Sequence, residues 1–308
     1  MPVFPLNPRP CRRNPGKWII AVLVTVMVLI LPASACMAAD LVVRYPNVNC
    51  QGKNSLGYKM LDLALKKNGE PYRIEQEETC PDIKRTRVML ETGLIDVFDI
   101  GTMPDYETRY AAVYFPIDRG LNGRRVLVVR RTDLAWFKSI HSIAGLKPYT
   151  AGQGEAWADT KILRRAGLNV VTASSLEMLF NMLQAGRFDF LPLGANEASH
   201  LLTEYDKAQN LAIVPDVMLT YPFGRLFFVR KNDTALRDRL YRGLVIAFND
   251  GTFAKLLASD PDYQKFISRD ERKIRTVLAI DNNLTTASFK AIPAKFFLNV
   301  LDGRPTAP

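Results

Sequence analysis

Arg125-Val-Leu-Val-Val-Arg-Arg-Thr-Asp133 returns later in the chain as Arg225-Leu-Phe-Phe-Val-Arg-Lys-Asn-Asp233. Each is a long apolar run with a basic residue at both ends, the pattern of a buried strand bounded by loops. Between the two copies lie about 90 residues with their own αβ alternation. It reads as strand Tyr149–Ala151, helix Ala156–Ala166, strand Val170–Thr172, a capped helix, strand Phe188–Leu193, helix Asn196–Tyr205 and strand Leu211–Val214. The economical interpretation is an insertion. The chain leaves one lobe along the first basic-ended strand, builds a second lobe and returns along the second strand. Two crossing strands make a hinge, and the gap between the lobes becomes the site, since clefts between domains favour ligands.

Upstream, Leu41–Tyr45 is β-rich. Asn54 or Ser55 caps a helix with Leu56, Met60, Leu63 and Ala64 on one face, ended by Asn68-Gly69. Tyr72–Glu75 is a weaker strand. Pro81 and Asp82 start a helix that stops at Gly93, and Leu94–Ile100 follows as a buried strand. A βαβαβ order predicts a parallel sheet with right-handed crossovers. Ser174 to Glu177 reads as a capping box, before Leu176, Leu179, Phe180 and Leu183. A second echo pairs Met89-Leu90-x-x-Gly93-x-x-Asp96 with Met182-Leu183-x-x-Gly186-x-x-Asp189; alone it reads as convergent αβ-turn chemistry. After Asp233, Thr234 is expected to cap a helix carrying Leu236, Leu240, Leu244 and Phe248, stopped by Asp250-Gly251. The tail after about Asp281, ending Gly-Arg-Pro-Thr-Ala-Pro308, is expected to be loosely held.

The 308 residues suit about two domains, and 48% apolar against 23% charged is an ordinary globular balance. Arg9, Arg12, Arg13 and Lys17 precede the apolar run Trp18–Leu31, then Pro32 and small residues to Ala39. That run is short for a span of about 20 residues and has the shape of a secretory signal peptide, residues 1–39. Cleavage is placed near Ala39; Cys36 offers a lipidated alternative, although Ala33 replaces the usual Leu. Processing leaves 37 basic and 31 acidic groups, net +6. No dense basic stripe with aromatics appears, so nucleic acid is not an expected partner. Two histidines leave few ligands for a transition metal, and no cofactor is expected. Cys50 and Cys80, an even pair in an exported chain, read as a disulfide. A catalytic thiol is the alternative, but His141 and His200 are distant in sequence and sit in no motif.

Gly101-Thr-Met-Pro-Asp-Tyr-Glu-Thr-Arg109-Tyr-Ala-Ala-Val-Tyr-Phe-Pro-Ile117 resembles a segment of the type II periplasmic solute-binding proteins. These are the family 3 extracellular binding proteins, which include the polar amino-acid receptors of ABC importers. The resemblance covers about residues 41–280. It implies an α/β, two-lobed, periplasmic-binding-protein-like (type II) fold: two parallel or mixed sheets with flanking helices, joined by a two-strand hinge. Lobe 1 is then 40–128 with 226–308, and lobe 2 the inserted 129–225. In the family's amino-acid receptors the Arg matching Arg109 holds the ligand carboxylate, and Thr102 opens the same segment. A planar guanidinium suits bidentate carboxylate binding; the alternative for Arg109 is a surface or structural ion pair.

Gly152-Gln153-Gly154 looks like the family's Gln-Gly loop, with Glu155-Ala156 in place of its hydroxyl residues. Gly186-Arg-Phe-Asp189 resembles the family's Gly-x-x-Asp, but Gly194 replaces the carboxylate that pairs with a ligand ammonium, and Glu197 is the substitute. These departures point from an ordinary α-amino acid towards a small anion or carboxylate. Tyr45, Trp157 and Tyr221 are candidate aromatic walls, with core packing as the alternative. Asp105, Glu107 and Glu155 are candidate acid/base residues, with solvated helix starts as the alternative.

The leading expectation is an exported, periplasmic, monomeric binding protein that is not an enzyme. It closes around a small carboxylate-bearing ligand and presents it to an ABC permease or membrane sensor. The competing readings are a periplasmic enzyme on this scaffold, such as a dehydratase of a cyclic carboxylate with Glu197 or Glu155 beside Arg109, and an orphan scaffold without ligand.

Overall fold

The computed structural model describes residues 1–2, 40–268 and 276–298. The expected leader from residue 3 onward, Cys36 and the last ten residues lie outside them. Among the described residues no helix is long and apolar enough to cross a membrane.

Among the described residues eleven strands form the framework: β1 (Leu41–Tyr45), β2 (Tyr72–Gln76), β3 (Val97–Gly101), β4 (Tyr110–Val113), β5 (Arg124–Arg130), β6 (Thr150–Gly154), β7 (Asn169–Ala173), β8 (Phe190–Gly194), β9 (Leu211–Thr220), β10 (Arg225–Arg230) and β11 (Thr276–Ala279). In the first lobe β1 pairs in parallel with β2, and β10 lies antiparallel between β3 and β4. The amide of Asp96 donates to the Arg44 carbonyl (2.9 Å), which brings β1 beside β3. The second lobe is a six-stranded mixed sheet in the order β11-β9-β5-β8-β6-β7. Both sheets carry flanking helices, so the expected two-lobed α/β architecture is the one observed.

The two basic-ended strands are the antiparallel centre of each sheet. Along β5, Leu127 and Val129 enter one core while Val126 and Val128 enter the core on the opposite face. All four apolar residues of β10 are buried. Burial on both faces is why these segments read as continuous hydrophobic runs. Neither strand itself passes between lobes. The chain crosses just before β5 and again between β9 and β10, where Asp118 ties the crossings together. Its carboxylate accepts from the amides of Gly120 (3.1 Å), Asn122 (2.8 Å) and Arg225 (3.1 Å). Burial pushes the Asp118 carboxyl above its ordinary range, and these three donors oppose that shift.

The two sequence echoes interlock. In the first lobe Arg230 donates to the Ile95 carbonyl (2.9 Å) and pairs with Asp96 (3.1 Å). In the second, Arg130 donates to the Phe188 carbonyl (2.7 Å) and faces Asp189 (3.6 Å). Asp96 also accepts from the Arg44 amide (2.9 Å), as Asp189 does from the Thr150 amide (2.7 Å). Gly93 and Gly186, at φ 75° and 71°, take the left-handed turn that precedes each clamp. The echo is thus one arginine-clamped corner built twice.

Three local expectations shift. The helix Leu176–Gln184 is capped by Ser175, which accepts from Met178, one residue after the expected Ser174. The helix Thr234–Asn249 is capped by Asp233, which accepts from Leu236, so Thr234 is its first residue. An acidic acceptor one residue earlier reaches the free amides equally well. The tail is not loose up to Leu298. The strand β11, expected with the first lobe, pairs in parallel with β9 in the second sheet, and Phe289, Ile292 and Phe296 are buried in the first core.

Cys50 and Cys80 form the expected disulfide, with Cα atoms 5.1 Å apart. It joins the loops that follow β1 and β2. The closed loop of about 30 residues contributes on the order of 3–4 kcal/mol in the chain-entropy account. A reductant is therefore expected to lower the melting temperature of the wild type and leave Cys50→Ser unmoved. Equal sensitivity of both in thermal denaturation would count against the bridge's contribution.

Candidate functional site

Ligands of open α/β sheets lie beyond the carboxyl ends of the strands. In the first lobe that edge is the end of β1 and β3 and the start of the antiparallel β10. Tyr45, fully buried, donates its hydroxyl to Asp99, and Arg225 pairs with the same carboxylate through Nε. The corresponding edge of the second lobe holds the same chemistry. Tyr221 donates to Asp159, Arg125 pairs with Asp159 (2.6 Å), and Arg125 Nε donates to the Tyr221 hydroxyl (3.0 Å). Each lobe thus presents an Arg–Asp–Tyr set at its cleft edge.

Burial would lower both guanidinium pKa values, but the facing carboxylates, Asp159 for Arg125 and Asp99 for Arg225, reverse it and hold both groups charged above their ordinary range. The two tyrosine hydroxyls are pushed well up, first by burial, so they stay protonated donors. The two sets differ in what they leave open. Arg125 is 5% exposed and occupied on all sides, its Nη1 standing 3.5 Å from Glu197. Arg225 is 18% exposed, and its two Nη groups make no hydrogen bond among the described residues. A desolvated guanidinium with open donors is suited to an anionic oxygen pair.

Glu197, 32% exposed at its side chain, accepts from the Gly194 amide (3.0 Å) and leans toward Arg125. Gln153 is fully buried on β6; its Nε2 donates to the Pro192 carbonyl (3.3 Å) while Oε1 has no partner among the described residues. Trp157 precedes the helix Ala158–Arg165 and lies against Gly154. Thr102 is buried and donates to Glu107 (2.7 Å), with its amide on the Gly224 carbonyl (3.0 Å). The lobes also touch where Tyr106 donates to the Ala156 carbonyl (3.4 Å) and Lys84 pairs with Glu155 (2.8 Å).

Tyr45 and Tyr221 of the expected set thus join the paired carboxylates, and Glu197 stands beside them. Arg109 stands elsewhere. Its side chain is 54% exposed and pairs with Asp105 at 3.0 Å. Tyr110 lies opposite Arg230 and Gly101 opposite Arg225, so Arg109 is at the far end of β10, about 16 Å of strand from Arg225. Its neighbours in a surface hollow are Glu91, Arg230, Lys231 and Asp233. Arg125, Arg225, Asp99 and Asp159 stand at these edges although no sequence motif marks them. The available signal was an arginine opening a run otherwise apolar and central to a sheet, which is stable only when paired. Among the described residues no group of three or more His, Cys, Asp or Glu could hold a metal.

No family model and no curated protein matches this sequence. Solved structures do share its fold. One is an ancestral arginine-binding protein bound to arginine, 18% identical over 71% of this chain and 98% of that one, TM-score 0.54. Another is a histidine kinase sensor domain with similarity to periplasmic binding proteins, 15% identical over 73% and 97%, TM-score 0.55. A third is an amino acid ABC transporter substrate-binding protein from Streptococcus pneumoniae bound to L-arginine, 14% identical over 74% and 95%, TM-score 0.53. At these identities the likeness is one of fold: the chain has the two-lobed, periplasmic-binding-protein-like architecture.

Proposed function

We propose that this is an exported solute-binding protein whose lobes close on a small ligand bearing an anionic oxygen pair. The observation that carries the reading is an Arg–Asp–Tyr set at the cleft edge of each lobe, with Glu197 of the second lobe near enough to Arg225 of the first to favour its charged form. A ligand that touches both sets favours the closed state through contacts that the open state lacks. Arg225 offers its free Nη groups to the anion; Glu197 accepts from any donor the ligand carries. Export agrees with the expected leader and the disulfide. The partner that senses closure is an ABC permease or a membrane sensor, a pairing that agrees with the fold neighbours.

The test is to purify the mature chain, identify co-purified small molecules by mass spectrometry, and measure melting shifts with a carboxylate library. A ligand that binds only the native state raises the melting temperature. Arg225→Lys keeps the charge beside Asp99 but loses the planar fork, so the affinity is expected to fall about tenfold or more with little change in stability. Arg109→Ala is expected to retain the shift. Loss of the shift in Arg109→Ala alone would move the carboxylate to Arg109, as the family resemblance implies. A solute recovered transformed would favour the enzyme reading.

A further inference from the structure

The tail passes from the second lobe back to the first. At one end β11 is laddered to β9 from Thr276 to Ala279, and the Ile280 amide continues the pairing to Thr220 (2.8 Å). At the other end Phe289, Ile292 and Phe296 are buried in the first core, with Phe296 4.5 Å from Phe115 between ring centres. Arg119 donates to the carbonyls of Lys295 (3.1 Å) and Phe297 (3.0 Å), and the Leu298 amide returns a bond to Arg119 (2.9 Å). Both ends are therefore anchored, one in each lobe.

The residues between the anchors are folded short. Asn282 is 5% exposed and donates Nδ2 to the Pro222 carbonyl (2.8 Å), on the second chain crossing. Its Oδ1 accepts from the Leu284 amide (3.1 Å), and its carbonyl accepts from the Thr285 hydroxyl (3.0 Å). Thr286 then donates to Glu107 of the first lobe (2.5 Å), a carboxylate also bonded by Thr102 (2.7 Å) and Tyr114 (2.9 Å). Six residues drawn straight span about 20 Å, so this turn stores length. Separating the lobes draws it out only by breaking the Asn282 bonds or the Thr286–Glu107 bond.

We infer that residues 276–298 are a strap across the hinge, and that the Asn282 turn is its clasp, which limits how far the lobes separate when no solute is bound. The inference rests on the two-lobed fold and not on the proposed solute.

The test places spin labels at two exposed positions, through Tyr241→Cys in the first lobe and Met178→Cys in the second, and reads the interlobe distance with no solute added. The chain with its native strap is expected to give one narrow distance. Asn282→Gly with Thr286→Ala is expected to add a longer population while the near-ultraviolet circular dichroism stays native. Should that pair fail to fold, Thr286→Val leaves the Asn282 turn intact and removes the hydroxyl's bond to Glu107 together with its cap bond from the Phe289 amide (3.0 Å); it is expected to give the same longer population at a smaller fraction. An unchanged distance distribution in either folded variant overturns the strap. Because no solute enters the measurement, this outcome is independent of whether the solute-binding reading holds.

Discussion

Arg125→Ala is expected to lose about 3–5 kcal/mol of folding stability, the usual cost of leaving one charge of a buried pair alone. Asp159 would then keep only the Tyr221 hydroxyl, at 7% exposure of its side chain. Guanidinium or urea denaturation reads the loss as a lowered midpoint with an unchanged slope. The companion variant Arg125→Met with Asp159→Leu removes both charges together and is expected to recover much of the loss. A single variant that melts like the wild type would mean that Arg125 is not the countercharge of Asp159. The same truncation at Arg109 is expected to cost under about 1 kcal/mol, because its pair with Asp105 is solvent-exposed and screened. Two arginines of one chain thus bracket the range of ion-pair effects, and accessibility decides which end each occupies.

The second large effect is expected at Gly243→Val. Gly243 is where the helix Thr234–Asn249 meets the helix Leu56–Lys67, and a Cβ there would strike the Ala64 carbonyl and carbon. Asn68 locks the same contact by donating to the carbonyls of Ala64 (2.8 Å) and Arg239 (2.9 Å). Backbone cannot move aside as a flexible side chain would, so the helices must separate and the packing of Met60, Leu240 and Leu244 loosens with them. Overpacking of this kind costs about 1–3 kcal/mol and at times more. Gly243→Ala is expected to show a smaller loss of the same sign. A melting temperature unchanged in both variants would mean that the helix pair tolerates a wider spacing.

The architecture was legible because it rests on patterns that are local in sequence. Alternating strands and helices, glycine stops after helices, and two matching apolar runs each depend on neighbours a few residues away. What the echoes meant was not legible. The clamp of Arg230 on Ile95 joins residues separated by 135 positions, and no local pattern marks it. That Tyr45 and Tyr221 stand at strand ends is legible in the sequence; that both are buried with their hydroxyls on Asp99 and Asp159 is not. Arg109 was drawn from family resemblance alone, and its position depends on how the short helix Pro104–Arg109 ends at the remote side of β4. Asp99, Asp118 and Asp159 are single acids in ordinary contexts, and only the fold reveals that each is buried with partners. The tail's signal is the spacing of Phe289, Ile292 and Phe296, three and then four residues apart, ahead of an end that contains Gly and Pro.

The duplicated corner has a consequence for assembly. In the second lobe the clamp spans 58 residues, from Arg130 to the Phe188 carbonyl; in the first it spans 135, from Ile95 to Arg230. A chain that appears amino end first holds every partner of the inner clamp before Arg230 exists. The inner clamp is therefore able to form first, with only the edge strand β11 of its sheet still to come, while the earlier-made half waits with Asp96 unclamped by Arg230 and its central strand position vacant.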